Sequence, residues 1–363
     1  MPEPLKNLFF TPESLNKLAN AIKDVYRAFD AGKFLELIYA SGWEARELKD
    51  RMHHTAACLA ATLPAEYDAA LAILERVVPH IQGFDAMVFP DFVETYGRDD
   101  WERSMPALAF FTQFASSEFA VRPFLDEDSS RAMAYLYQWA EDPNPHVRRL
   151  ASEGCRPRLP WAMALSQFKA DPSPILPVLE RLKDDESDFV RRSVANNLND
   201  ISKDHPDLML DICERWYGQS ERTDWIVKHA CRSLLKAGNR RAMALFGFDV
   251  PENIAVKRLR LEPPALQIGQ TLIFSFDLHV IGEGEQRVRV EYAIDYVRAS
   301  GDRNRKVFHF SERIYIPGIY FLRKQQPMAD LTTRRHYPGE HCLAIIVNGR
   351  ELASTKFELY DQA

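Results

Sequence analysis

The stretch Glu141–Trp161, EDPNPHVRRLASEGCRPRLPW, begins as a packing helix and stops short of one. Asn144 can cap a helix, and Pro145 suits its first position, where a missing N–H is no loss. Val147, Leu150 and Ala151 fall at i, i+3 and i+4, the spacing of a buried stripe. Gly154, Pro157 and Pro160 then end the helix, with Arg156 and Arg158 between them. Glu153 therefore sits at a truncated helix end, followed by a basic, Pro-stiffened loop and Trp161. Local rules broken inside a regular scaffold mark functional segments.

Two later segments repeat the opening of this one. DPNPHVRRLAS from Asp142 aligns with DESDFVRRSVA from Asp185 and RTDWIVKHACR from Arg222, and the aligned valines are Val147, Val190 and Val227. Spacings of 43 and 37 residues suit two-helix HEAT-like units stacked into a solenoid. Thr11-Pro12-Glu13-Ser14 reads as a further helix start. Apolar-periodic stretches over about 34–62, 66–82, 101–119, 129–140, 173–183, 206–217 and 223–237 extend the all-α pattern to residue 254. Asp142 and Asp185 each precede an arginine, Arg148 and Arg191, by six residues. Such pairs tie neighbouring repeats, which leaves Arg149 and Arg192 for an open face.

Near Ala255 the period becomes that of strands. LIFSFDLHVI, RVRVEYAIDYV, KVFHFSERIYI and LAIIVNGR are rich in β-branched and aromatic residues, with turn signals such as Asn348-Gly349 between them. At least seven possible strands suggest an antiparallel, immunoglobulin-like β-sandwich, and Tyr337-Pro338-Gly339 resembles a tyrosine-corner region. The chain thus reads as mainly α, a HEAT-like α-solenoid over 1–254 and a sandwich over 255–363.

Composition narrows the function. Of 363 residues, 46% are hydrophobic and 27% charged, ordinary for a soluble globular protein. The N-terminus, MPEPLKNLFF, lacks the pattern of a signal peptide, and no apolar run reaches membrane-helix length. The five cysteines show no CxxC or zinc-ligand spacing, and His53-His54 near Cys58 has no third ligand. A reduced, cytoplasmic protein without metal is expected. There is no Walker loop, no GxGxxG before a helix, no GxSxG and no HExxH. Net charge is −6, but unevenly spread: residues 1–254 hold 30 Lys+Arg against 39 Asp+Glu, and residues 255–363 hold 16 against 13. A mildly basic C-terminal part can contact phosphate through local patches.

Several groups invite a chemical reading, each beside a plainer one. Asp200 ends the second repeat's helix, on a polar line with Arg192 and Asn196. Stacked repeats could bring it to Glu153 in one groove; alternatively Glu153 only pairs with Arg149, one turn away, a weak surface contact. Trp161 is a packing residue or a surface for a nucleobase or deoxyribose. Glu118, within the aromatic stretch FFTQFASSEF, reads as a solvated helix residue. Lys228, Arg232 and Lys236, at i, i+4 and i+8 and extended by Arg240 and Arg241, form a basic ridge that is either solvated or follows a phosphate backbone.

HVRRLASEGCRPRLPWA, with FVRRSVANNLNDISKDHP downstream and a C-terminal sandwich, resembles the AlkC branch of the HEAT-like alkylpurine DNA glycosylases. The sandwich favours AlkC over its sister branch AlkD, which lacks it. The resemblance implies a monofunctional glycosylase acting on N3-methylated purines and N3-methylcytosine in double-stranded DNA, without extruding the base. It implies no cofactor, a monomer, and a bacterial cytoplasmic setting at the nucleoid. On this pattern Glu153, Asp200, Trp161 and Glu118 surround the lesion's deoxyribose. Arg149, Arg156, Arg158, Arg192, Lys228, Arg232, Lys236 and Arg240 are candidates for DNA contact. On the sandwich, Arg334 and Arg335 are candidates, as are Arg303, Arg305 and Lys306. Fold alone favours a non-catalytic scaffold that binds DNA or protein, since HEAT solenoids most often bind. The interruption SEGCRPRLPW speaks against it, because a scaffold has no need to stop a packing helix beside a Glu and a Trp.

Overall fold

The computed structural model describes residues 5–40, 42–330 and 335–361. They form two compact units, one running to Ala230 and one from Cys231. Among the described residues no single helix is long and apolar enough to cross a membrane.

The first unit is a helical solenoid. Ser129–Trp139 pairs with Pro145–Gly154, Leu176–Leu182 with Asp188–Ile201, and Pro206–Trp216 with Glu221–Ala230. The second helices of successive pairs lie side by side, which is the stacking of HEAT-like units. The capping signals act as read: the Asn144 side chain accepts from the His146 N–H at 2.9 Å, and Thr11 from that of Ser14 at 3.2 Å. Val147, Leu150 and Ala151 are buried, as are Val190, Val194, Leu198 and Ile201. Each fully buried Val, Leu or Ile contributes roughly 1.5–3 kcal/mol, so these stripes dominate the packing.

Polar ties set the register between neighbours. Ser152 Oγ meets Ser193 Oγ at 2.6 Å, Asn197 Nδ2 donates to the Ser152 carbonyl at 2.8 Å, and Asn199 Nδ2 to that of Ala230 at 2.8 Å. Arg148 bridges repeats with a forked pair to Asp185, Nε–Oδ2 2.6 Å and Nη2–Oδ1 3.0 Å. Arg191 donates to the carbonyls of Asp185 and Glu186. Both arginines are structural, but only Arg148 ties neighbours, through Asp185 of the next repeat rather than Asp142, whereas Arg191 holds the loop and first turn of its own repeat.

Some helices differ from the sequence reading. The stretch 34–62 is two helices, Ala31–Ile38 and Leu48–Thr62. The helix from Trp101 ends at Phe111, and beyond it Ser117 Oγ donates to the Leu108 carbonyl at 2.8 Å, sharing that acceptor with the Thr112 N–H. Val88–Tyr96 is a helix that periodicity missed, because its first six residues are all buried and leave no polar face to count. The stretch 223–237 breaks at Cys231 (φ −72, ψ −3) into Glu221–Ala230 and Arg232–Lys236. Lys228, Arg232 and Lys236 therefore do not form one helical ridge, since the break upsets the phase of 100° per residue.

The second unit is a β-sandwich carrying two short helices, Arg232–Lys236 and Arg240–Leu245. Its strands are β1 (Ile254–Glu262), β2 (Ala265–Gln267), β3 (Thr271–Val280), β4 (Gln286–Val297), β5 (Arg303–Tyr315), β6 (Gly318–Pro327), β7 (Gly339–Val347) and β8 (Arg350–Tyr360). Order β1-β3-β6 makes one sheet and β2-β8-β7-β4-β5 the other. Alternate residues of β3 (Leu272, Phe274, Phe276, Leu278), β4 (Val288, Val290, Tyr292, Ile294) and β7 (Leu343, Ile345, Val347) point into one core, the period of two expected of a half-buried strand. Asn348 and Gly349 both have positive φ and close the β7–β8 hairpin. A Cβ on Gly238 would stand 2.6 Å from the Gly349 carbonyl oxygen, so this close approach, which ties the short helices to the sandwich, requires glycine. Tyr337 lies before β7, and its carbonyl pairs with His341 Nε2 at 3.1 Å. The upstream segment to which a tyrosine corner would bond includes 331–334, outside the described residues.

Position 154, the last of its helix, is glycine because nothing larger fits: a Cβ there would lie 2.6 Å from Val121 Cγ1. Gly154→Ala should cost about 1–3 kcal/mol of folding stability by overpacking. Val121→Ala opens the space for the new methyl, so the double variant should lose less than the two single losses added together. Urea unfolding of the three variants checks this, and strictly additive losses would refute the contact.

Candidate active site

Helix ends and loops of the solenoid unit converge on a row of five ionisable side chains. Glu118 lies in the turn after Phe111. Arg149 and Glu153 lie one turn apart on Pro145–Gly154, Arg156 follows that helix, and Asp200 sits at the end of Asp188–Ile201. Arg149 Nη1 is 2.5 Å from Glu118 Oε2, and its Nη2 is 3.5 Å from Glu153 Oε1. Arg156 Nη1 is 2.6 Å from that same Glu153 oxygen, and its Nε is 2.8 Å from Asp200 Oδ2. The row alternates in sign and holds three acids and two bases, a net charge of −1. Glu153, Arg156 and Asp200 have side chains only 7–8% exposed.

Burial pushes the Asp200 carboxyl above the usual carboxylate range, and Arg156 opposes that push. Burial also works against the charge on Arg156, but the bond to Asp200 and the field of Glu153 more than offset it. Glu153 Oε2 and Asp200 Oδ1 accept no hydrogen bond from the described residues, so one oxygen of each acid remains for a ligand. Cys155, fully buried beside them, has its thiol pushed up to about 12, which excludes it as a thiolate nucleophile near neutral pH.

The loop after Gly154 is held through its backbone. Arg122, 0% exposed, donates Nη1 to the carbonyls of Gly154 (2.8 Å) and Arg156 (2.9 Å), and Nε and Nη2 to that of Met163 (2.8 and 2.6 Å). Burial lowers its pKa to about 10, which still leaves it charged at neutral pH. At the tip, Trp161 has φ +65 and is 63% exposed. A bulky residue in the left-handed region is strained, and such strain persists where surrounding structure fixes it. The Trp161 carbonyl accepts from Lys49 Nζ at 2.6 Å.

The candidate residues separate by these contacts. Glu118, Glu153 and Asp200 come together, and Glu118 is in an ion-paired turn rather than on a solvated helix. Arg156 departs from the expectation of an open basic side chain: its guanidinium is buried between two carboxylates. Arg149 is likewise engaged with two acids and lies 4.9 Å from the Phe189 ring centroid. Arg158 pairs with Asp204, Nη2–Oδ1 2.6 Å, at the surface. Arg192 is exposed and forms no ion pair with the described residues, and Lys228 is half-buried. Lys236, Arg240 and Arg335 are exposed on the sandwich unit and Arg232 is half-buried, while Arg334 lies outside the described residues.

Sequence reading missed Lys49, Arg122 and the pair His53–Asp91, in which Nδ1 lies 2.7 Å from a buried Oδ1. His54 turns away from that pair, towards the carbonyls of Leu37 and Ile38. None of these stands in a pattern: Arg122 heads a short helix, and Lys49 and His53 share a face with ordinary surface residues.

Residues 111–234 match the family model described as DNA alkylation repair enzyme, and residues 255–361 that described as the C-terminal Ig-like domain of uncharacterised protein YhaZ. The chain is 46% identical over 351 residues to uncharacterized protein YhaZ of Bacillus subtilis (strain 168), covering 96% of this chain and 98% of that one. It is 41% identical, with a TM-score of 0.96, to the alkylpurine DNA glycosylase AlkC of Pseudomonas fluorescens bound to DNA containing an abasic site analog. That match covers 99% of this chain and 100% of the other.

Arg156→Met should leave Glu153 and Asp200 buried without their shared cation, at a cost of about 3–5 kcal/mol near neutral pH. The folded-state pKa of Asp200, already raised by burial, then rises further above its unfolded value. The ionised Asp200 destabilises the fold above that value, and its protonation on lowering the pH relieves the loss. Unfolding at two pH values should show a deficit that shrinks at the lower one, and a pH-independent deficit would contradict the bridging role.

Proposed function

Because this chain belongs to the AlkC branch of the HEAT-like alkylpurine DNA glycosylases, we propose that it hydrolyses the N-glycosidic bond of cationic N3-methylated bases, 3-methyladenine and 3-methylcytosine, in double-stranded DNA. It does so as a monomer, on the cell's cytoplasmic DNA, and without flipping the base. The observation that carries this reading is the row Glu118–Arg149–Glu153–Arg156–Asp200, with its excess negative charge and its two unshared carboxylate oxygens.

The chemistry suits those groups. A base methylated at N3 carries a positive charge and departs neutral, so no acid is needed on the leaving group. Cleavage leaves an oxocarbenium-like sugar and requires a water. Asp200 and Glu153 stabilise the developing charge through Oδ1 and Oε2, and one of them orients the water. Glu118 adds to the negative field through Arg149. The exposed Trp161 indole covers the sugar and excludes bulk water. Arg192 is the solenoid's open candidate for phosphate, with Arg158 if DNA displaces Asp204. Lys236, Arg240 and Arg335 supply cations from the sandwich unit.

Asp200→Asn and Glu153→Gln should each lower base release by about 100-fold or more, while DNA affinity changes little, because charge stabilisation acts in the transition state. The active form needs the Asp200 carboxylate, whose pKa is raised by burial. The single-turnover rate should thus fall with decreasing pH, along a limb above the ordinary carboxylate range, and Asp200→Asn should abolish that limb. Equal losses in binding and turnover would make these acids positioning groups instead.

Selectivity follows from the lesion's own charge. The row offers no acid to a neutral leaving base, and a base left in the stack is not read at its Watson–Crick edge. Duplexes holding one 3-methyladenine or 3-methylcytosine should yield abasic sites; those holding uracil or hypoxanthine should not. Hypoxanthine release at a rate comparable with 3-methyladenine would disprove this mechanism.

A further inference from the structure

We propose that Lys49 is a positioning residue for this reaction: from the helix Leu48–Thr62 its ammonium pins the backbone of Trp161 and braces it against the Glu118 turn. The inference rests on the glycosylase reading above and deepens it.

Three observations carry it. First, Trp161 needs holding, since a left-handed conformation costs a bulky residue roughly 1–3 kcal/mol. Second, Arg122 secures the two flanks of the loop, at Gly154, Arg156 and Met163, but not its tip. Leu159 is buried, and between it and Ala162 the hydrogen bonds among the described residues are a long backbone bond, Ala162 N to the Leu159 carbonyl at 3.3 Å, and the 2.6 Å bond from Lys49 Nζ to Trp161. Third, the Lys49 ammonium has two partners. It is half-buried, forms no ion pair with the described residues, and places Nζ 4.7 Å from the centroid of the Phe119 ring. Phe119 adjoins Glu118, the outer acid of the row. One ammonium therefore links the indole-bearing loop to the Glu118 turn, through a carbonyl on one side and an aromatic face on the other. Its neighbour one helical turn on, His53, is committed to Asp91.

The test uses the full chain. Lys49→Met keeps the aliphatic stem over Phe119 and removes the donor, while Lys49→Arg restores a cationic donor. On duplex DNA containing 3-methyladenine, Lys49→Met should lower the single-turnover rate by about 10- to 100-fold with little change in DNA affinity, as misplacement of a positioned group does. Lys49→Arg should recover much of the rate. In a Trp161→Ala background, Lys49→Met should cause no further loss. A readout independent of activity is the fluorine spectrum of protein labelled with 5-fluorotryptophan. The chain has six Trp, and Trp161→Phe identifies the resonance of interest. Lys49→Met should shift or broaden that resonance and leave the other five in place.

An unchanged Trp161 resonance overturns the proposal, as do additive losses in the Trp161→Ala background. A loss of affinity with a flatter salt dependence also overturns it, because it would make Lys49 a phosphate contact. If the unaltered protein releases no base, the glycosylase reading fails by itself, and the fluorine spectrum still decides whether Lys49 holds Trp161.

Discussion

Two acids buried side by side cannot both stay ionised without a cation between them, and Arg156 is that cation. Glu153 ends one repeat's helix and Asp200 ends the next. They meet because the two helices pack side by side, in a register that the Ser152–Ser193 and Asn197–Ser152 contacts help to fix. Arg156 then has one acid on Nη1 and the other on Nε. Repeat stacking and site geometry are thus one problem. A shift of the second repeat against the first would separate the acids from their shared base before it exposed much apolar surface.

Such a row is poor value as stabilisation. Buried ion pairs often add nothing over a well-packed apolar substitute, since desolvation offsets their attraction. The raised Asp200 carboxyl shows desolvation at work in this molecule. What the row provides is negative charge at low exposure, fixed in place before any ligand arrives. That is the property a site needs if it is to favour a positive charge appearing on a sugar. Arg149 and Arg156 pair with the acids without cancelling them, because three acids outnumber two bases.

Much of this was legible in the sequence, and the reasons differ by residue. Asn144, Val147, Leu150 and Gly154 obey local rules of capping, periodicity and termination, so the truncated helix could be read without tertiary information. The strands of the sandwich follow a period of two and appear with their Asn348-Gly349 turn. The bringing together of Glu153 and Asp200 depends on stacking, which the repeat spacing allowed but did not require. Arg156 looked like a phosphate ligand because it lies in a basic loop; only its neighbours in space give it two acids. Lys49 and Arg122 act through backbone carbonyls far along the chain, and a carbonyl has no residue type to recognise. The helix Val88–Tyr96 was hidden for the opposite reason, since burial on all sides erases the polar half of the pattern.

The staple made by Arg122 has a consequence for how this loop can change over generations. It grips the carbonyls of Gly154, Arg156 and Met163, and every amino acid has a carbonyl. Replacing a side chain between Pro157 and Met163 therefore removes none of those bonds. The path of the loop is inherited through one arginine outside it, while the groups it displays are free to drift. A lineage could exchange what stands at position 161, and so try new ligand surfaces, without first rebuilding the support beneath them.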